Sequence, residues 1–442
     1  MKYLKNKKMS LVLIELNEIN FDVVKRYIDS GVKLPGFSYI INNQLIETSS
    51  ESKYDLLEPW IQWPSVHTGL DYSEHQLFRL GDSVNSEIPQ IFEKVEQLGF
   101  SVGAVCPMNA RNALINPKYF IPDPWTKTKS DNSFFSKAIT KAISQAVNDN
   151  SESKLSLLTL FNLTLAFIFL VHPSRYLTLI KYALLAIGRS WRKALFLDKF
   201  LYEIHKTLFR RKAPKFSTLF LNAGAHIQHH YFFNSEHVKS KDLKNPVWYI
   251  GENEDPFLEM ILEYDLIIED ILAAEDTDLI IATGLSQKPF TKVQFYYRLL
   301  RHEEFLKDMG ISFSAVHPRM TRDFLITFDS VNSALDAETK LKSILVNNEY
   351  ILFDEIDNRG KDLFVVLSYP YEINEDTFIS INDTKINLEK YVVFVAIKNG
   401  MHDQKGYAYF SPAFDSLKPK NLKHVSNIHD SIINYFKKFK IN

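Results

Sequence analysis

His226, His229 and His230 crowd one short stretch of the chain, Lys215–Phe233, KFSTLFLNAGAHIQHHYFF. The stretch opens as an apolar, β-prone run (Phe216, Leu219, Phe220, Leu221) and breaks at Asn222-Ala223-Gly224. If Asn222 opens a helix, Asn222, His226 and His230 recur every four residues and share one face. Two imidazoles and an amide converging there suit a divalent metal ion or an anionic substrate. A polar helix start with capping or half-exposed histidines is the competing reading of the same residues. Another imidazole, His402, stands between Gly400 and Gly406. Carboxylates able to take a proton stand at Glu18 and at Glu58, the latter in YDLLEPWIQWPSVHTGL (Tyr54–Leu70) with Trp60, Gln62, Trp63 and His67 close behind. The two indoles offer flat faces for a sugar or base ring, although an aromatic packing corner would use them equally well.

These side chains need a scaffold that releases them together. SLVLIEL (10–16) is a short apolar strand ending in Asn17-Glu18, with a helix expected from 21 to 30. Glu15 lies inside that strand and needs a partner if buried. The pattern repeats: FSVGAVC (100–106) runs into Asn109 and Arg111, the 216–221 run into Asn222, LIIAT into Gly284–Gln287, and YVVFVAI (391–397) into the His402 loop. Strands that shed polar residues at one end, alternating with helices, imply an α/β fold whose ligands sit at the strands' carboxyl ends. Helices are expected over 88–98, 131–148, 256–274, 293–309 and 428–439, and residues 45–57 read as loop. A helix from about Pro64 would leave N–H groups free for an anion. Residues 324–390 alternate short strands with a helix at 332–346, a small α+β subdomain. Just before them Arg319 and Arg322 flank a carboxylate, an arrangement suited to phosphate or sulfate and equally to a surface ion-pair cluster.

With 442 residues and 45% hydrophobic composition the chain can build one large core with an insertion, or two domains. Its net charge of -1 provides no general attraction for nucleic acid, and no nucleotide cofactor is expected. The single cysteine, Cys106, excludes an intramolecular disulfide and any Cys-rich metal site. The basic-then-apolar N-terminus lacks the features of a signal peptide and places the protein in the cytoplasm, on the inner face of a membrane if it touches one. Residues 128–212 form a helical insertion between the two parts of the core, 1–127 and 213–442. Within it LSLLTLFNLTLAFIFLV (155–171) precedes a basic amphipathic segment carrying Trp191, Arg192, Lys193, Lys199, Lys206, Arg210, Arg211 and Lys212. Three roles fit: a cap or dimerisation element in a homo-oligomer, a peripheral membrane contact through 155–212, or a transmembrane hairpin.

Taken in order, the strand tips resemble the alkaline phosphatase superfamily, in particular its type I phosphodiesterase/nucleotide pyrophosphatase and sulfatase-like branch. The resemblance covers most of 10–127 and 213–420. It sets LVLIELNEIN against the opening strand, Ser65, Thr68, Gly69 and His75 against the nucleophile segment, Asn222 and His226 against an Asp/His ligand pair, and His402 against a late ligand His. It implies a large mostly parallel sheet with helices on both faces and a two-metal centre on one edge, and here that centre is depleted. Asn17 and Asn222 stand where metal-binding aspartates are expected, Gly284 and Leu285 replace an Asp-His pair, and Pro59 occupies the nucleophile position. Proline has no nucleophilic atom, and amides are weak ligands. The expectation is a rebuilt site. One divalent ion, zinc or manganese, is held by His226, His402 and His230 with Asn222, and Glu58, Glu18 or His67 serves as general base. Asn17, Trp60, Gln62, Trp63, Asn109, Arg111, Gln287, Arg319 and Arg322 would contact an anionic small-molecule substrate or a glycan-, lipid- or nucleotide-linked one. Such a site would hydrolyse or transfer a phosphoryl-, sulfuryl- or related group. The alternative is an inactive relative that binds an anionic ligand or partner.

Overall fold

The computed structural model describes residues 10–43, 45–148, 157–274, 276–319, 322–381, 384–417 and 424–440. The start of the apolar run at 155 and Met320-Thr321 of the Arg319–Arg322 stretch fall outside them. The chain divides into two units. The first comprises Met1–Lys239, Gly251–Pro289 and Gly400–Asn442; the second comprises Ser240–Ile250 and Phe290–Asn399, a longer span than 324–390.

The first unit is built on a seven-stranded sheet. Its named strands are β1 (Ser10–Leu16), β2 (Ile46–Ser49), β3 (Val102–Val105), β4 (Tyr119–Ile121), β5 (Phe216–Leu221) and β6 (Thr277–Ala282), joined by Lys405–Phe410. The spatial order is β2, Lys405–Phe410, β6, β1, β5, β3, β4. Strands β6, β1, β5, β3 and β4 run parallel, and Lys405–Phe410 runs antiparallel to both its neighbours. The central strands are buried along their whole apolar length, as a sheet covered on both faces requires. β2 is an edge strand inside the expected loop 45–57. It is legible only through its pairing with Lys405–Phe410.

Helices cover this sheet in two groups. Pro35–Asn42, Ser190–Lys212, Ala223–Tyr231 and Pro256–Leu272 pack together, as do Pro59–Thr68, Ile91–Gln97 and Asn427–Lys440. The basic face of Ser190–Lys212 is turned toward Pro256–Leu272: Arg192 pairs with Glu259, Lys199 with Glu263 and Lys206 with Asp270. Three cations expected to meet headgroups are therefore occupied by acids of the same chain. Trp191, expected with them, is buried.

The expected helix 293–309 is replaced by a long strand, β7 (Ser286–Leu299), followed by the short helix His302–Asp308. The reason is periodicity. Phe295, Tyr297 and Leu299 are the buried positions, two apart, and aromatic and β-branched residues favour that pleat. The second unit contains two four-stranded antiparallel sheets and a core of its own.

Two histidines in the first unit's core make stability depend on acid. His75 Nδ1 accepts the Leu77 N–H at 2.9 Å, so Nε2 carries the proton and donates to Ser65 Oγ at 3.0 Å. Burial lowers the His75 pKa to about 4 and that of His205, bonded to Ser217 Oγ, to about 3. Between pH 6.5 and those values the unfolded chain takes up protons that the folded chain refuses. Stability is fully present above about pH 6.5 and falls as pH drops toward 4. The expected loss is on the order of 3 kcal/mol per histidine. Melting temperatures across that range should decline less steeply for His75→Gln than for the wild type; parallel curves would refute it.

Candidate functional site

Because β5, β1 and β6 are parallel neighbours, their carboxyl ends open on one edge. Asn17-Glu18 leave β1 there, Asn222 leaves β5, and Thr283-Gly284 leave β6. Lys405–Phe410 is antiparallel to β6, with Ala408 opposite Ala282, so its beginning, and the His402 segment before it, reach the same edge. Gly400 permits that approach: a Cβ there would lie 2.1 Å from Gln287 Oε1 and 2.6 Å from the Gln228 carbonyl.

Glu18 is the centre of the edge. Its backbone sits at φ 63°, a left-handed conformation costly for a residue with a Cβ. Neighbouring groups over-determine it. The Glu18 N–H donates to the Thr283 carbonyl at 3.1 Å, and the Gln228 side-chain amide donates to the Glu18 carbonyl at 2.8 Å. Asn17 Nδ2 donates to Glu18 Oε1 at 3.1 Å, and Gln287 Nε2 donates to Oε2. Strain of this kind concentrates where a side chain must be aimed.

It is aimed at two imidazoles. Glu18 Oε2 lies 3.2 Å from His229 Nε2 and 3.2 Å from His402 Nε2. The three ligand atoms all fall within 4.8 Å of one another. Burial alone would push the Glu18 carboxyl up, but His402 and His229 outweigh it and hold the group well below the usual carboxylate range. On its other side His402 Nδ1 is 3.6 Å from Glu58 Oε2. The fit to a divalent ion can be judged from these distances. Ligands about 2.1 Å from a tetrahedral ion stand roughly 3.4 Å apart, close to the oxygen–nitrogen separations here. A carboxylate behind the second nitrogen of a ligand imidazole is the usual outer support. The residues fit.

The ligand group differs from the expected one. His402 is in it, but His226, His230 and Asn222 are not; His229 and Glu18 take their places. The helix Ala223–Tyr231 forms as expected. From it His229 stacks edge-on against His402 with ring centres 5.0 Å apart, while His226 and His230 pair with each other, also at 5.0 Å. His226 Nε2 is sealed from solvent without a hydrogen bond among the described residues, and burial, with His229 nearby, lowers its pKa to about 4. Asn222 accepts from Asn17 Nδ2 at 2.8 Å, and Asn17 Oδ1 accepts from the Trp63 indole at 2.8 Å. The two amides and the indole thus satisfy one another.

Several expected contacts turn out to be structural. Trp63 and Gln62 are fully buried in the helix Pro59–Thr68, Gln62 bonding the Leu56 carbonyl and Trp60 the Phe78 carbonyl. That helix begins at Pro59 rather than Pro64, with Glu58 as its first flanking residue. The Ile61 and Gln62 N–H groups bond the Glu58 carbonyl, which removes the expected anion site at Pro64. His67 cannot serve as a base at this edge, since it is wholly buried against Glu15, 3.1 Å away. Asn109 bridges the Trp60 carbonyl and the Gly81 N–H. Arg111 pairs with Glu93 at 2.8 Å. Gln287 acts on Glu18. Arg319 and Arg322 belong to the second unit, where Arg322 lies over the Tyr296 ring.

No protein-family model matches the chain, and no curated protein matches it in sequence. Among solved structures it is similar to phosphonoacetate hydrolase from Sinorhizobium meliloti 1021, with 12% identity over 97% of this chain and 96% of that one and a TM-score of 0.43. It is similar to murine ectonucleotide pyrophosphatase/phosphodiesterase 5, with 11% identity over 97% and 95% of the two chains and a TM-score of 0.41. It is also similar to the alkaline phosphatase of the Antarctic bacterium TAB5, with 10% identity over 98% and 99% and a TM-score of 0.43.

Proposed function

We propose that this edge is a one-metal reaction centre which hydrolyses or transfers a phosphoryl- or sulfuryl-type group of an anionic substrate. The observation that carries the reading is the convergence of Glu18, His229 and His402 from three distant segments within 4.8 Å. Zinc or manganese fits one carboxylate and two imidazoles. Such an ion supplies Lewis acidity toward a substrate oxygen. Glu18 holds the negative charge that opposes the ion, with Asn17 and Gln287 fixing both its oxygens. His229 and His402 turn their Nε2 atoms toward the same carboxylate oxygen. Glu58, part-exposed at the rim, orients His402 and is the group placed to take a proton from water or an acceptor hydroxyl. The order of sequence motifs supplies the substrate class, and lipid-linked and glycan substrates are the preferred members.

A second reading, binding without turnover, draws on the mutually satisfied Asn17, Asn222 and Trp63, which leave no second ion site in the family's manner. One experiment separates the two. Elemental analysis of purified protein should find one equivalent of metal, lost in His229→Ala and His402→Ala and kept in His226→Ala. The metal-loaded protein should cleave at least one of p-nitrophenyl phosphate, bis-p-nitrophenyl phosphate or p-nitrophenyl sulfate. Metal without turnover would favour binding; no metal in any preparation would remove the proposal.

A further inference from the structure

The helices Leu157–Leu170 and Tyr176–Leu185 carry apolar side chains that nothing in the described chain covers. On the first, Leu157, Leu160, Phe161 and Ile168 form an exposed stripe at helical spacing. On the second, Leu177 is 82% exposed and is followed by Ile180, Leu184 and, past the helix, Ile187 at 70%. A patch of this kind marks an interaction surface. Among the described residues no single helix is long and apolar enough to cross a membrane, and Thr159–Leu170 meets Pro173–Leu185 at 118°. At about 1.5 Å per residue, each spans roughly half to two thirds of a bilayer's apolar core.

Charge identifies what the patch meets. Between 157 and 212 there are ten Lys or Arg residues against two acids, Asp198 and Glu203. Three of the cations are held by Pro256–Leu272, as described, but Lys181 and Arg210 are exposed with no acidic partner among the described residues. Directly beside the apolar stripe is a cavity of about 660 Å³ whose lining includes Ile168, four cations, Arg175, Lys206, Arg210 and Arg211, and one acid, Glu203. Arg175 keeps only a 3.5 Å contact with Glu203, and Arg211 reaches the Phe169 carbonyl. Cations around a recess that opens beside exposed Leu and Ile side chains complement a phosphate beneath which acyl chains begin. A second copy of this chain would bring the same cations face to face and be repelled.

We infer that the bent helix pair 157–187 lies in the interfacial layer of an anionic phospholipid membrane, with a headgroup phosphate in the Arg175/Arg210/Arg211 recess. The inference is independent of the reaction proposed above.

The test is flotation of the full-length protein with vesicles of phosphatidylcholine alone and of phosphatidylcholine mixed with phosphatidylglycerol, at low and high salt. The wild type should float with the mixed vesicles, less so in high salt. Lys181→Gln with Arg210→Gln should weaken that binding roughly thirtyfold. Leu177→Asp with Leu184→Asp, at exposed positions and with an unchanged melting temperature, should abolish it. Failure of the wild type to float with anionic vesicles would overturn the inference. So would equal flotation of the Leu→Asp variant, or a wild-type dimer in light scattering that this variant converts to monomer.

Discussion

Glu18→Gln is expected to lose the bound divalent ion, whereas Glu58→Gln should still bind it, roughly 10- to 100-fold more weakly. The difference follows from position. Glu18 is nearly sealed from solvent between two imidazoles. A neutral amide there removes the only negative ligand. It also sets an N–H against the donors of Asn17 or Gln287, both of which now point at carboxylate oxygens. Glu58 lies 3.6 Å from the far nitrogen of His402 and outside the ligand group, so its loss loosens the ring without deleting a ligand. Titration calorimetry with zinc or manganese on folded variants measures both effects. Turnover at saturating metal then isolates any role of Glu58 as a base, which typically contributes 10²–10⁴-fold. Retention of stoichiometric metal by Glu18→Gln would sink the ligand assignment.

The edge itself was legible in the sequence because buried parallel strands read as apolar runs that stop at polar residues. β1, β5 and β6 all show that stop, and their tips meet as expected. What the sequence hides is aim. Three imidazoles in Ala223–Tyr231 differ by fractions of a helical turn, and family order favours His226. The backbone at Glu18 decides otherwise, by turning left-handed and carrying its carboxylate to His229 and His402. No local pattern announces that conformation at a glutamate. The signal that was present is the pair of glutamines, Gln228 and Gln287, whose amides hold the turn. Trp63 misleads for a related reason: an indole reads as a stacking face, but a buried N–H seeks an acceptor and here takes Asn17. β7 was lost because its two-residue period overlaps a plausible helical one.

Splitting the buried pair Glu15–His67 is expected to destabilise the protein more than deleting it whole. Both side chains are fully buried, in contact at 3.1 Å, and each leaves one polar atom, Glu15 Oε2 and His67 Nδ1, without a hydrogen bond among the described residues. A half-satisfied buried pair is a poor source of stability. Removing one partner strands the other, at roughly 3–5 kcal/mol, whereas apolar residues of similar volume at both positions are often neutral or stabilising by about 1–4 kcal/mol. Urea unfolding should therefore rank Glu15→Met and His67→Leu well below the wild type and the double variant at or above it. A double variant as unstable as either single one would show that the pair is a net stabiliser. The pair also joins β1, two residues before Asn17, to the helix Pro59–Thr68, which Glu58 precedes. It thereby fixes the register between Glu18 and the carboxylate behind His402. The double variant should gain stability and lose metal affinity together, the signature of a polar contact that positions a site at the expense of the core.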